Sequence, residues 1–224
     1  MGKDKLRRFR ENEAFPNVLQ PTREELLSGA FALRGAWRAA YFKNQKSIAL
    51  ELGCGKGEYT LALAEKHPDD NFIGIDIKGA RLWRGAKTAL ENDVANAHFL
   101  RIPIELIDSA FDTDEVNAIW ITFPDPQIKY RRSKHRLTHP NFLRRYQKIL
   151  NPEGVIHLKT DSEFMYGYTL GILQGQGHAV LYANHDLYRT APDLGIVTSI
   201  QTAYEQLYLS AGKPIAYLAF KPQF

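Results

Sequence analysis

Residues 50–57 read Leu50-Glu51-Leu52-Gly53-Cys54-Gly55-Lys56-Gly57, a glycine-rich loop that follows the apolar run of residues 47–50. A buried strand that ends in closely spaced glycines lets the backbone turn sharply and approach a ligand, which a Cβ would obstruct. The dinucleotide pattern G-x-G-x-x-G needs its third glycine one residue later. That position holds Glu58, whose carboxylate would repel a pyrophosphate. The loop therefore indicates a small ligand other than a dinucleotide.

A second acidic residue follows the loop at a sequence spacing that indicates a ligand contact. Asp76 ends the apolar run 71–76, nineteen residues beyond Gly57. A carboxylate at the carboxyl end of a strand, about 20 residues after such a loop, can accept hydrogen bonds from both ribose hydroxyls. Together the two features predict a cofactor with a ribose, although a tight turn and a helix cap would use the same residues.

Short apolar runs alternate with helical patterns along the chain. The predicted strands are residues 48–52, 71–76, 97–101, 117–123, 154–160, 178–182 and 214–220. The predicted helices are residues 57–66, 79–92, 140–150, 163–174 and an earlier one near 22–43, opened by Pro21 and Thr22. This alternation predicts an α/β fold, with a doubly wound, mostly parallel seven-stranded sheet and helices on both faces.

Composition bounds the class of protein. With 224 residues, 44% of them apolar, we expect a single domain overall, made of a basic N-terminal arm and helix (1–45) and a main domain (46–224). No stretch is apolar enough to span a membrane, so we expect a soluble, cytoplasmic protein. The single cysteine, Cys54, excludes an intramolecular disulfide, and the seven histidines are scattered, so we expect no metal site.

The net charge of +4 is concentrated in two runs. One consists of Lys3, Lys5, Arg7, Arg8 and Arg10. The other spans residues 129–136 and carries five Lys or Arg residues with no acid. Such runs are often solvated surface, but they also suit a polyanion, because clustered cations release phosphate counterions. The position of the second run, after a predicted strand end, favours the polyanion.

Two strand ends carry further acids. The fourth predicted strand runs into Phe123-Pro124-Asp125-Pro126, where two prolines force a stiff turn around Asp125. Ligands of open α/β sheets bind beyond the carboxyl ends of the strands. Asp125 is therefore a candidate site residue, although a simple Asp-Pro turn is an alternative. Asp161 follows the next strand, as a ligand contact or as the N-cap of the next helix.

At this point the sequence resembles a known family. The glycine loop is similar to motif I of methyltransferases that use S-adenosylmethionine. Residues 123–137 resemble the signature of the bacterial tRNA (guanine-N7-)-methyltransferases, F-P-D-P-W-x-K followed by a basic run, and residues 202–205 resemble their T-x-[FY]-E motif. The resemblance covers most of the chain. It implies a Rossmann-like methyltransferase fold and methyl transfer to N7 of the variable-loop guanine, at position 46 of tRNA.

The resemblance also assigns residues. The implied cofactor positions are Glu51, Gly53, Gly55, Gly57, Asp76, Glu105 and Asp125, with Asp125 also at the reaction centre. The implied substrate contacts are Lys129, Arg131, Arg132, Lys134, Asp161, Thr202, Tyr204 and Glu205. Two departures stand out: Gln127 replaces the family tryptophan, and Pro103 stands near the place of a family acid, which leaves Glu105 or a backbone group to serve.

Guanine N7 carries no proton, so we expect positioning, and an Asp125 carboxylate among apolar walls, to dominate catalysis. A methyltransferase for another RNA, a protein or a small molecule would share the loop and Asp76 but would not need the basic run. A non-catalytic RNA-binding protein would keep the basic run but would not need the loop. Whether the protein is a monomer or a homodimer stays open.

Overall fold

The computed structural model describes residues 3–224, and for Lys3 only the backbone. Met1 and Gly2, part of the expected arm, lie outside the described residues. The strands are β1 (Val18–Leu19), β2 (Ser47–Leu52), β3 (Asp70–Ile75), β4 (Ala97–Leu100), β5 (Val116–Thr122), β6 (Leu150–Thr160), β7 (Ala179–Asn184) and β8 (Ala216–Lys221). The α-helices are α1 (Lys3–Ala14), α2 (Arg23–Ser28), α3 (Glu58–Lys66), α4 (Gly79–Glu91), α5 (Ile107–Ala110), α6 (Pro140–Ile149), α7 (Glu163–Gly175), α8 (Leu187–Thr190), α9 (Gly195–Ser199) and α10 (Ala203–Ser210).

The strands form one sheet in the order β1-β4-β3-β2-β5-β6-β8-β7. Strand β8 runs antiparallel to both of its neighbours, and the other pairings are parallel. The doubly wound, mostly parallel sheet is confirmed. The sheet has eight strands, whereas seven were expected. The additional strand is the edge strand β1, which is only two residues long and has no apolar run in the sequence that would predict it. Strand order reverses between β2 and β5, where a ligand crevice opens in such sheets.

The core lies on both faces of the sheet. Leu50, Ile73 and Ile119 belong to one buried cluster, whereas their neighbours Ala49 and Phe72 belong to the other. Because successive side chains of a strand point to opposite faces, a sheet covered on both sides reads as continuous apolar runs. In the described range 3–224, no helix has the length and apolar character needed to cross a membrane.

The single helix expected near residues 22–43 is wrong. Its start is correct, since Thr22 and Glu25 form a reciprocal capping box at α2. The helix ends at Gly29, which adopts φ +75° and closes the last turn with its backbone N–H. A separate π-helix, Trp37–Phe42, then packs the fully buried Trp37 ring on Phe111, with ring centroids 5.0 Å apart.

The basic N-terminal run is a folded helix packed on α4. Asn12 Nδ2 donates to the Gly79 carbonyl at 2.9 Å, and Trp83 Nε1 donates to Glu11 at 2.6 Å. Arg8 lies over the Trp83 ring, 4.8 Å from its centroid. Helix α1 therefore reaches the loop after β3, which carries Asp76.

Candidate functional site

The candidate site lies at the carboxyl edge of the sheet, where strand order reverses. Leu52, the last residue of β2, pairs with Ile75 of β3 and with Ile121 of β5. The glycine loop, Asp76 and the Phe123–Pro126 turn follow these three strand ends, so the fold brings them side by side. Residues predicted from separate parts of the sequence thus meet at one edge.

The glycine loop has the backbone that only glycine adopts freely. Gly53, Gly55 and Gly57 have φ values of +75°, +57° and +73°. A Cβ on Gly57 would come within 2.6 Å of the Phe99 ring, so this glycine permits α3 to pack on the sheet. A Cβ on Gly53 or Gly55 would meet no protein atom closer than 3.9 Å. These two positions therefore face open space, as a ligand-binding loop requires.

Asp76 joins the glycine loop to the loop that follows β3. Its carboxylate is buried and accepts from Gly55 N at 3.0 Å and from Lys78 N at 2.7 Å. Each carboxylate oxygen can accept a second hydrogen bond, so two acceptor positions remain for a diol. The next residue, Ile77, is 53% exposed although it is large and apolar. Sequence reasoning missed Ile77; its signal was its place directly after a strand-ending acid.

Glu51 is buried beneath the loop and held inside the protein. Thr60 donates to it from its backbone N–H at 2.8 Å and from its hydroxyl, and Thr122 Oγ1 donates at 2.6 Å. Burial raises the pKa of Glu51 to about 7, against the effect of these hydrogen bonds. Glu51 thus ties α3 and the end of β5 to β2. Neighbouring Cys54 is buried as well, and burial raises the pKa of its thiol, the opposite of what a nucleophile needs.

Two other acids of this region have different surroundings. Glu58, at the start of α3, accepts from the Ala203 N–H at 3.1 Å and so connects the glycine loop to α10. Glu105 lies in a one-turn 3₁₀ helix after β4 and is exposed. The structure therefore leaves the Glu105 side chain open to a ligand without holding it in a fixed contact.

The turn that carries Asp125 is strained on both sides. Phe123 and Gln127 both have φ +46°, an unusual conformation for residues with a Cβ and one that clusters at functional sites. Asp125 Oδ1 accepts from Gln127 N at 3.0 Å. The rigid turn is as expected, but the apolar walls are not: Asp125 is exposed in the free protein. Its surroundings exclude water only after something docks on this turn.

Arg136 holds this turn from below. The side chain is only 6% exposed, and its guanidinium donates to the carbonyls of Pro126, Gln127 and Ile128 at 3.1–3.4 Å. It also lies over the Tyr168 ring, 4.3 Å from the centroid. One of the five cations of the 129–136 run is therefore a structural residue that does not reach the surface.

The other four cations of this run form an exposed group, which we call the basic segment: Lys129, Arg131, Arg132 and Lys134. They lie on and just before the 3₁₀ helix Tyr130–His135. None of these four side chains has an acidic partner within residues 3–224. The segment therefore presents unpaired positive charge directly after Asp125.

Asp161 is not the N-cap of the following helix. Ser162 takes that position, because its side chain accepts from Met165 N at 3.2 Å. The Asp161 carboxylate lies near the Tyr204 hydroxyl; burial, the hydrogen bond that Tyr204 donates to Tyr208 and this carboxylate raise the pKa of Tyr204. The capping alternative for Asp161 is wrong, which leaves its side chain available to a ligand.

The T-x-[FY]-E motif contains residues that stabilise the fold and one residue that is exposed. Thr202 is the N-cap of α10 and accepts from Glu205 N at 3.2 Å. Glu205 is 0% exposed and forms an ion pair of 2.6 Å with Lys159, which is equally buried. The expectation that Glu205 contacts the macromolecular substrate is therefore wrong, since no part of it reaches the surface. Tyr204 is 46% exposed, and its ring packs edge-on against Phe123 at 5.4 Å.

Lys159 is a buried connection that sequence reasoning missed. Its ammonium also donates to the carbonyls of Val197 and Ile200, at 2.7 and 2.9 Å, while its own carbonyl accepts from Phe123 N at 2.8 Å. Burial lowers the pKa of Lys159, and Glu205 opposes that shift. Glu205 Oε2 stays buried without a hydrogen-bond partner in the described part of the chain. The signal in the sequence that could have revealed this connection was a lysine within an otherwise mostly apolar predicted strand.

Comparison with known proteins agrees with this geometry. A family model described as "Putative methyltransferase" matches residues 45–218. The tRNA (guanine-N(7)-)-methyltransferase of Christiangramia forsetii is 63% identical over 98% of both chains. That of Bacteroides fragilis is 44% identical over 98% of this chain and 86% of its own. The crystal structure of the 16S rRNA methyltransferase KamB shares the fold, with a TM-score of 0.59 at 13% identity over 80% of this chain and 89% of that one. The chain therefore belongs to the family of tRNA (guanine-N(7)-)-methyltransferases.

Proposed function

We propose that the protein transfers a methyl group from S-adenosylmethionine to N7 of a guanine in tRNA, the variable-loop guanine at position 46. One observation carries the proposal. One side of the site has glycines in the left-handed backbone conformation and buried carboxylates. Next to it lie a rigid, exposed aspartate and the basic segment, whose side chains have no acidic partner among the described residues. A methyltransferase for a small molecule has no use for the basic segment, and a simple RNA-binding protein has none for the cleft.

The residues of the cleft fit this cofactor. Asp76 retains two acceptor positions for the ribose hydroxyls, and the exposed Ile77 offers an apolar contact to the adenine. Glu105 is our candidate for the adenine amino group, since the Pro103 side chain cannot donate or accept. The ammonium of the methionine end matches the buried carboxylate of Glu51, which lies beneath the glycine loop.

When bound, S-adenosylmethionine supplies a methyl group activated by its sulfonium. Guanine N7 has an in-plane lone pair and no proton, so the protein need not provide a general base. Its task is to hold the base in line, and alignment of reactants can lower a barrier by roughly 7 to 11 kcal/mol. The rigid turn between Phe123 and Gln127 and the clamp from Arg136 serve this task.

Asp125 acts on the guanine. Its carboxylate would accept from N1–H or the N2 amino group and offset the positive charge that develops on the ring. RNA docking removes water from the exposed side chain, and the interaction strengthens as water leaves. Tyr204 and Phe123, adjoining this turn, offer a stacking surface in place of the family tryptophan, worth roughly 1 to 3 kcal/mol per base.

The basic segment would hold phosphates, and base contacts would supply selection. Asp161, beside Tyr204, is a further candidate for a base contact, because a carboxylate accepts hydrogen bonds from guanine amino and imino groups.

Methylation of paired transcripts tests the proposal. The protein is incubated with methyl-labelled S-adenosylmethionine and two transcripts of one tRNA that differ only in having guanine or adenine at position 46. Label is expected in the guanine transcript alone, as N7-methylguanosine after nuclease digestion and mass spectrometry. Label in both transcripts would move the target to another base, and absence of label from RNA would refute the assignment.

A further inference from the structure

A second basic surface borders the cleft. It consists of four exposed side chains, which we call the α4 basic face: Lys56, Lys78, Arg81 and Arg84. Among the residues that the structure describes, none of these four side chains has an acidic partner or a hydrogen bond. The face is therefore unneutralised positive charge, as the basic segment is.

The members of the face are neighbours along the rim of the cleft. Lys56 belongs to the glycine loop, and a Cβ on Gly85 of α4 would come within 2.7 Å of the Lys56 carbonyl. Lys78 directly precedes α4, two residues after Asp76. Arg81 and Arg84, three residues apart on the helix, lie on the same side of it.

The α4 basic face and the basic segment flank the site from opposite sides. Helix α4 leads from β3 to β4, whereas the basic segment follows β5. In the sheet, β3 and β5 are the two neighbours of β2, which carries the glycine loop. A polyanion lying across the cleft would meet positive charge on both sides of the loop.

Neither the helix nor the cofactor explains these charges. The first turn of α4 has no acidic residue, and like charges three residues apart destabilise a helix. S-adenosylmethionine carries a sulfonium, an ammonium and one carboxylate, so a cationic rim repels it. Helix α1 adds a further positive charge beside the face, because Arg8 lies over Trp83 of α4.

We propose that the α4 basic face binds backbone phosphates of the same tRNA, so that the RNA is held on both sides of the target guanine. The inference rests on the proposed function and deepens it, since it assigns a second tRNA-binding surface that the basic run at residues 129–136 does not include.

Two double variants with equal loss of charge test the face. Arg81→Gln/Arg84→Gln removes two charges from it. Lys43→Asn/Lys66→Gln removes two exposed charges at the amino end of the strands, away from the cleft. Binding of tRNA is measured as a function of salt, and cofactor binding by calorimetry.

The face variant is expected to lose roughly 25- to 60-fold in tRNA affinity at about 0.1 M salt, and roughly 1.4 to 1.8 from the logarithmic salt slope, for two phosphate contacts. Cofactor affinity should not fall. The control variant should match the wild type in both measurements. A face variant with the salt slope of the control would overturn the inference.

A third variant separates this inference from the proposed function. Arg131→Gln/Arg132→Gln/Lys134→Gln should also flatten the salt slope. If the wild type methylates the guanine and only this triple variant changes the slope, the α4 basic face is wrong and the proposed function stands. If the wild type methylates no tRNA, the proposed function is wrong, while the slope of the face variant still decides whether the face binds RNA.

Discussion

The two halves of the site differ in how far the free protein completes them. On the cofactor side, Glu51 and Asp76 are buried and accept five hydrogen bonds from within the chain. On the substrate side, Asp125 and the basic segment are exposed, and only the backbone around Asp125 is fixed. Under the proposed function, the cofactor half is thus preorganised, whereas the substrate half would acquire its dry surroundings from the RNA. The variants below test this division.

Asp76→Ala should have the largest effect, and on the cofactor alone. It removes two charge-assisted hydrogen bonds to the ribose, each worth about 1.5 to 3 kcal/mol, so cofactor affinity should fall roughly 10²- to 10⁴-fold in calorimetry. Asp69→Ala, a change at an exposed acid away from the cleft, should leave it unchanged. Wild-type affinity in a folded Asp76→Ala protein would remove Asp76 from the site.

Glu51→Gln tests the cofactor half through the pH dependence of the free energy of unfolding. Because the pKa of Glu51 is raised from 4.5 to about 7, the folded protein keeps a proton that the unfolded chain releases across this window. The free energy of unfolding of the wild type should therefore fall as pH rises, by on the order of 3 kcal/mol relative to Glu51→Gln between about pH 5 and pH 8. Urea titrations measure it. Parallel pH profiles would show that Glu51 is ionised throughout.

Asp125→Asn should separate the two halves most clearly. The variant keeps the shape of the side chain and loses its charge, so the single-turnover rate at saturating tRNA should fall about 10²-fold, or roughly 2.7 kcal/mol. Cofactor affinity should stay at the wild-type value. A variant with an unchanged rate would exclude Asp125 from the reaction centre.

Arg136→Met should have a smaller effect, because it alters only the support of the turn. Loss of the guanidinium leaves the carbonyls of residues 126–128 without their donor, so we expect a rate loss of roughly tenfold, or about 1.4 kcal/mol, at saturating tRNA. The matched variant Arg132→Met, at an exposed position, should weaken tRNA binding and keep the saturating rate. Equal rates in wild type and Arg136→Met would mean that the clamp does not position Asp125.

The sequence predicts the fold well where burial is continuous. All seven expected strands are present, because a parallel sheet covered on both faces leaves apolar runs that a single chain reveals. Prediction from the sequence fails where tertiary contacts determine whether a helix or strand forms. Helix α1 has little apolar periodicity and is held by cation–π contacts on Trp83 and by hydrogen bonds, and β1 exists only because it pairs with β4.

Site residues follow the same division. The glycines and Asp76 were identifiable because backbone conformation and spacing restrict residue type. For a charged residue, neither the residue type nor the spacing indicates whether its side chain is buried. Arg136 and Glu205 belong to motifs that resemble substrate contacts, yet carbonyls 126–128 and Lys159 hold them inside the protein. Only the folded chain shows which cations of one run face solvent.

Guanine N7 is the atom that we propose accepts the methyl group, and one substrate analogue tests this directly. A tRNA with 7-deazaguanosine at position 46 keeps the N1–H and N2 donors for Asp125 but lacks N7. Single-turnover methylation and tRNA binding are measured with this RNA and with its unmodified counterpart. We expect equal binding and no methyl transfer to the analogue; methylation of the analogue at the rate of the unmodified tRNA would show that an atom other than N7 accepts the methyl group.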